Sequence, residues 1–190
     1  MTDADLQALT GVLWPDGDGT SRHQAYWLLD GARDPAIFGL LRAGGLEYSC
    51  LYTGNLHPRL QAAAPYLVHL AANSLTTNRL LRSGWGKSWG ILTTAAPDVT
   101  LARQRLHFKK FLRVRTEAGR DLAFRFYDPR VLNVYVPTCT DAEFKTLLGP
   151  VARLLAEAPG GAGLRQFDLD GHRMRMRELA LAGTDAAAAC

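Results

Sequence analysis

The chain has 190 residues and a mass of 20.8 kDa, enough for one domain, or one domain with a small appendage. Its 47% hydrophobic and 21% charged residues are globular proportions that exclude a disordered, collagenous or simple coiled-coil chain, and no apolar run approaches the roughly 18 residues of a membrane helix. Twenty-two basic against 18 acidic residues leave a net charge of +4 and a pI near 9.1, a weak flag for nucleic acid.

Met1 to Val12 carries Leu6, Leu9 and Val12 at helical spacing, and the Pro/Gly/Asp-rich stretch from Trp14 to Arg22 reads as a loop. Ala25–Leu29 is a strand, and Asp34 before Pro35 predicts an N-capped helix that runs to Ala43 and stops at Gly44-Gly45. Strand and helix then alternate: Tyr48–Tyr52 extended, Pro58–Ala63 helical, Tyr66–Leu70 extended, Ser74–Leu81 helical, Gly90–Thr94 extended and Pro97–Phe111 helical from a cap near Pro97-Asp98. Leu112–Thr116 and Leu122–Phe126 form a hairpin around residues 117–120, with Leu122–Phe126 expected in the main sheet. Thr140–Leu155 reads as a helix broken at Gly149-Pro150, and Leu164–Leu179 as a second hairpin around Asp170-Gly171. The alternation predicts an α/β fold with a mixed β-sheet flanked by helices and a C-terminal helical and β-hairpin extension. An α/β domain is expected over 1–157, then a linker (Ala158–Gly163), hairpin and flexible tail over 158–190.

The three cysteines, Cys50, Cys139 and Cys190, are odd in number and widely spaced, so no disulfide framework is expected. The N-terminus has no basic residue before an apolar run and does not read as a secretory signal. Cytoplasmic residence is the expectation.

Residues 83–90 (SGWGKSWG) imitate three motifs. The phosphate-loop pattern fails because its first glycine would fall at Leu81, and the dinucleotide fingerprint fails at Trp89. Gly86-x-Ser88-x-Gly90 matches a hydrolase nucleophile elbow literally, but an elbow needs a strand before the serine and a helix after it, the reverse of the order expected here. Tight turns with tryptophan packing are the structural reading. His23, His57, His69, His107 and His172 are scattered, so neither a metal nor any other cofactor is expected. Asp30, Asp34, Asp128 and Glu47 lie near strand ends, where a carboxylate pair can do acid–base work. Capping and ion pairing are the simpler reading, with Asp128 capping a short turn or pairing with Arg125 or Arg130.

Two basic clusters remain. Arg103, Arg105, His107, Lys109, Lys110, Arg113 and Arg115 lie opposite Leu101, Phe108 and Leu112 on a helix, which suits a solvated face or an acidic protein surface. In Arg173-Met174-Arg175-Met176-Arg177 the arginines share one face of a strand and the methionines the other, as at a charge-guarded edge or a partner-binding edge. Neither cluster interleaves aromatics as a nucleic-acid surface would.

Four blocks in order resemble a known family: residues 26–35 (YWLLDGARDP), residues 50–54 with 64–68 (CLYTG, APYLV), residues 84–90 (GWGKSWG), and residues 108–114 with 124–131 (FRFYDPRV). The chain resembles, over about Ala25 to Leu148, the small domain of unknown function of bacterial type VI secretion adaptors, the Tap or Tec effector chaperones. The resemblance implies a cytosolic adaptor without catalytic residues that binds a toxic effector and helps load it onto the VgrG spike. It marks Asp30, Arg33, Asp34, Trp85, Gly86, Trp89, Gly90, Arg125, Asp128 and Arg130 as family-signature structural residues. Partner binding is expected at Arg173, Met174, Arg175, Met176 and Arg177, with neither nucleic acid nor membrane as a partner. The competing reading is a small hydrolase using Ser88 or a carboxylate near Asp128.

Overall fold

β1 (Gln24–Asp30) is the axis of the fold, with six of its seven residues buried. Such a strand must be covered on both faces. It pairs antiparallel with β3 (Pro65–Leu70) on one side and β4 (Gly90–Ala95) on the other, placing Trp27 opposite both Val68 and Leu92. The computed structural model describes residues 1–15, 23–116, 118–159 and 163–181. Within them β2 (Tyr48–Cys50) adds to β3, and β7 (Arg153–Glu157), β8 (Gly163–Asp170) and β9 (Arg173–Ala180) continue beyond β4. The seven-stranded sheet has the order β2-β3-β1-β4-β7-β8-β9, with every neighbouring pair antiparallel.

The pleat divides the core in two. Ala25, Trp27 and Leu29 join Leu92, Leu155 and Leu164 beneath α1 (Asp3–Leu13), α2 (Ala36–Ala43) and α4 (Leu75–Gly84). Tyr26 and Leu28 join Ile91, Leu154 and Phe167 beneath α5 (Leu101–Phe108), α6 (Pro129–Tyr135) and α7 (Asp141–Leu148). The short α3 (Pro58–Ala62) leads into β3. No described helix is long and apolar enough to cross a membrane.

The expected α/β class and the strands at Ala25–Leu29, Tyr66–Leu70 and Gly90–Thr94 are present. Four expectations are corrected. Residues 113–115 (β5) and 121–123 (β6) do form a hairpin, but a separate exposed ribbon outside the main sheet in which Leu122–Phe126 was expected; the strand beside β4 is β7. The apolar signal there came from Phe126, which is buried where the chain turns towards α6. The helix expected over Thr140–Leu155 ends at Leu148, because Gly149 takes φ +59° and Pro150 follows; Arg153–Glu157 is a buried strand instead. α5 starts at Leu101, capped by the Thr100 side chain on Arg103 N–H at 3.2 Å, and not at Pro97. α6 was not expected at all. Its start, Asp128-Pro129, has in full the N-cap-plus-proline form expected at Asp34-Pro35.

The expected boundary at 157/158 falls between β7 and β8, which pair with each other in the one sheet. Leu164 and Phe167 of β8 are fully buried in the two cores. The second hairpin is β8–β9, turning at Gly171 with φ +60°. Most of the 14–22 loop, residues 160–162 of the linker, and the tail with Cys190 lie outside the described residues.

Candidate functional site

The site lies where β1 and β7 end and β4 begins. Asp30 closes β1 with 1% exposure. Its Oδ1 accepts Ala32 N–H at 3.0 Å, and Asp34 Oδ1 accepts Ala36 N–H at 2.9 Å, so the two aspartates hold consecutive turns into α2. Asp34 thus holds the turn that enters α2, but the N-cap expected of it falls to Pro35, without a side-chain cap bond, and the first helical residue is Ala36 instead of Pro35. Gly31 sits between them because a Cβ there would stand 2.6 Å from the carbonyl oxygens of Ala62 and Ala64.

The 84–90 block folds back over the same spot. Gly86 and Ser88 both have positive φ, +80° and +53°. Asp30 N–H donates to Trp89 O at 2.7 Å, and Arg33 Nη2 to Lys87 O at 3.2 Å. Trp89 is buried, Trp85 half-buried against the same core, and the Lys87 ammonium lies 5.3 Å over the Trp89 ring.

The third block closes the cluster. Arg125 Nη1 donates to Asp30 Oδ2 at 3.3 Å. Asp128 caps α6 through Arg130 N–H at 2.9 Å and holds the Arg130 guanidinium at 3.0 Å (Nε) and 2.5 Å (Nη2). Arg125 and Arg130 thus divide between the two carboxylates, whereas the sequence left both as partners for Asp128. A third carboxylate, Glu157 at the end of β7, accepts Ser88 N–H at 3.2 Å. Asn133 of α6 donates its Nδ2 to Glu157 O at 2.7 Å.

Burial raises the carboxyl pKa of Asp30, against the N–H of Ala32 and the charges of Arg125 and Arg33. Burial likewise raises Glu157, against the N–H groups of Ser88 and Gly86 and the charge of Arg33. At Asp128 burial pushes the same way, but the hydrogen bonds from Arg130 outweigh it and hold the carboxyl below its ordinary value. Arg33 favours the ionised form of all three. The cluster is therefore an ionic framework with three buried acids, each answered by an arginine or backbone N–H groups. Among the described residues Glu157 Oε1 and Asn133 Oδ1 are buried without a hydrogen-bond partner, and no group of three His, Cys, Asp or Glu is placed to hold a metal ion.

Asp30, Arg33, Asp34, Trp85, Gly86, Trp89, Gly90, Arg125, Asp128 and Arg130 thus come together from three separated stretches of chain. Sequence reasoning missed Glu157 and Asn133. A lone acid closing the apolar run Leu154-Leu155-Ala156 was the available signal for Glu157. Of the histidines that could serve Ser88 as a base, His69 stacks on Tyr26 at 4.9 Å and faces Glu47 at 3.7 Å. His107 Nε2 bonds Leu147 O at 2.8 Å.

The 173–177 segment lies apart, on β9 at the opposite end of the sheet from β2. Arg175 is engaged by Asp168 at 2.8 Å and Asp170 at 3.1 Å. Met174 packs into the α5–α7 core, and Met176 is 44% exposed. Met174 N–H points away from β8 and donates to Asp141 Oδ1 at 2.8 Å. By strand alternation, the backbone groups of Met176 and Glu178 point outward too.

The family profile described as "Domain of unknown function (DUF4123)" matches residues 25–146, a span that holds the first three blocks of the framework and ends before Glu157. No curated protein and no solved structure matches the chain. A match over residues 25–146, most of the chain, places the protein in the DUF4123 family, known as a type VI secretion adaptor/chaperone domain.

Proposed function

We propose that the protein is a cytoplasmic adaptor that binds a toxic effector and helps load it onto the VgrG spike of a type VI secretion system, without catalytic turnover. The observation that carries this reading is the family match over residues 25–146. The ionic framework adds support, because its acids are committed to holding turns, a helix cap and two arginines. The sequence-proposed contact on β9 fits the same role. Met176 and Glu178 offer outward backbone groups to an added strand, flanked by Arg173 and Arg177, which make no ion pair with any described residue.

The test is co-purification of the full chain with the effector and spike proteins encoded in its own secretion cluster. Capture of effector by the wild-type chain is expected. Met176→Pro, which removes an outward N–H and leaves the β8 ladder whole, is expected to weaken that capture with an unchanged melting temperature. Failure of the wild-type chain to retain either protein would overturn the adaptor reading. Hydrolysis of an ester or peptide substrate that disappears in Ser88→Ala would replace it with the hydrolase.

A further inference from the structure

At the other end of the sheet, beside β2, lies a groove of about 550 Å³ lined by Leu51, Leu56, Leu60 and Leu112, with Lys109 and Arg113 also in its wall. Leu51 is fully buried, whereas Leu60 is 47% exposed, so the apolar lining runs from the core out to solvent. Large apolar side chains that reach water beside a concavity are the usual mark of a contact surface. Arg105 fastens the wall: its Nε donates to Cys50 O at 2.6 Å and its Nη2 to Tyr52 O at 3.3 Å, tying α5 to the segment that leads into the groove. The groove is formed before any partner arrives, which lowers the ordering cost of binding.

Its charge is one-sided. Lys109, Lys110 and Arg113 are exposed and make no ion pair among the described residues. This contrasts with the framework, where Arg125 and Arg130 are each matched to a carboxylate. Cations left unmatched around an apolar floor suit an occupant that brings both apolar side chains and acids.

We infer that this groove docks an acidic amphipathic segment of a partner protein, its apolar side chains against Leu56, Leu60 and Leu112 and its carboxylates against Lys109 and Arg113. The inference rests on the adaptor reading and gives it a second surface. The strand order sets β2 and β9 six spacings apart, roughly 29 Å at about 4.8 Å each. A partner in the groove and a strand added to β9 therefore do not collide, and one molecule can hold two proteins at once.

The experiment places a photo-crosslinking residue at Leu60, with Leu75 of α4 as a control position that is 75% exposed, in the full chain mixed with the effector and spike proteins of its own cluster. A crosslink from position 60, absent from position 75, that maps to an acidic segment of one of them is expected. Lys109→Glu/Arg113→Glu is expected to weaken that complex by about tenfold or more with an unchanged melting temperature, and wild-type affinity is expected to fall as salt rises from about 0.05 to about 0.5 M. A complex that forms normally with the charge-reversed chain, shows no salt dependence, or crosslinks position 60 only to a second copy of the chain overturns the groove assignment and leaves the adaptor reading standing. No complex with either protein overturns both.

Discussion

The Glu157 side chain at the end of β7 accepts the backbone N–H of Ser88 at 3.2 Å, although the two residues lie 69 apart in sequence. Glu157 thereby pins the turn that delivers β4, the strand next to its own in the sheet. The contact draws a carboxylate out of water and opposes its charge only with backbone N–H groups and Arg33, so burial prevails and the folded pKa lies above the ordinary 4.5.

That shift fixes the sign of a pH effect. With the folded pKa above the unfolded one, the native chain binds the extra proton in the window between them, so this contribution to stability is full below the unfolded pKa and is lost as pH rises through the folded one. Glu157→Gln keeps an acceptor for Ser88 and removes the titration. Melting temperatures of variant and wild type should coincide near pH 4 and separate in favour of the variant as pH rises towards 7. A difference that stays flat across that range would refute the assignment.

Asp128 tests whether capping or ion pairing matters more. Arg130 is 61% exposed at its side chain and rehydrates freely once released, so the pair itself contributes at most about 1 kcal/mol. Asp128→Ala loses the cap of α6 as well and should cost about 1–2 kcal/mol, read by urea or thermal unfolding. Asp128→Asn retains a good cap and should cost less. An equal loss for asparagine and alanine would make the arginine pair the dominant interaction.

Gly90 and Gly84 are expected to be intolerant of a single methyl group. A Cβ at Gly90 would sit 2.0 Å from Leu28 O, a backbone atom in the middle of β1, and one at Gly84 2.5 Å from Trp89 and 2.7 Å from Trp27. Gly90→Ala should cost about 3 kcal/mol or more, and Gly84→Ala about 1–3 kcal/mol as the tryptophans shift. Gly39→Ala, in α2 with nothing within 4 Å, is the control and should stabilise by up to about 1 kcal/mol. Equal melting temperatures for Gly90→Ala and wild type would contradict the packing described.

Ser88 occupies the left-handed region at φ +53°, which costs a residue with a Cβ about 1 kcal/mol or more. Ser88→Gly should keep the N–H bond to Glu157 and hold or raise the melting temperature, with partner capture unchanged. A marked loss of stability would mean that the serine hydroxyl carries an interaction of its own.

β1, β3 and β4 were legible in the sequence because each is a short apolar run bounded by turn or cap residues. β7 was not, because Leu147, Leu148 and Val151 continue the helical spacing of α7 and the Gly149-Pro150 break reads equally as a kink or an end. At the site, Asp30, Arg33, Arg125, Asp128 and Arg130 stood out within dense blocks, but which arginine meets which carboxylate depends on the sheet bringing residues 30, 88, 128 and 157 to one end. Spacing along the chain does not encode that convergence. Glu157 and Asn133 each stand alone among apolar neighbours, so only their three-dimensional company reveals them.

The place of β4 between β1 and β7 carries a consequence for the chain as it leaves the ribosome. Both strands of the β1–β4 pair leave the ribosome before β7, so the far edge of β4 has no partner until residues 153–157 emerge, and Ile91 and Leu92 border that edge. β7 then closes it, and β8 and β9 follow as a meander whose strand pairings are local in sequence. A premature stop before β7 therefore releases a product with an apolar, unpaired strand exposed, a template for aggregation and a target for proteolysis, even though most of the DUF4123 segment has already been made.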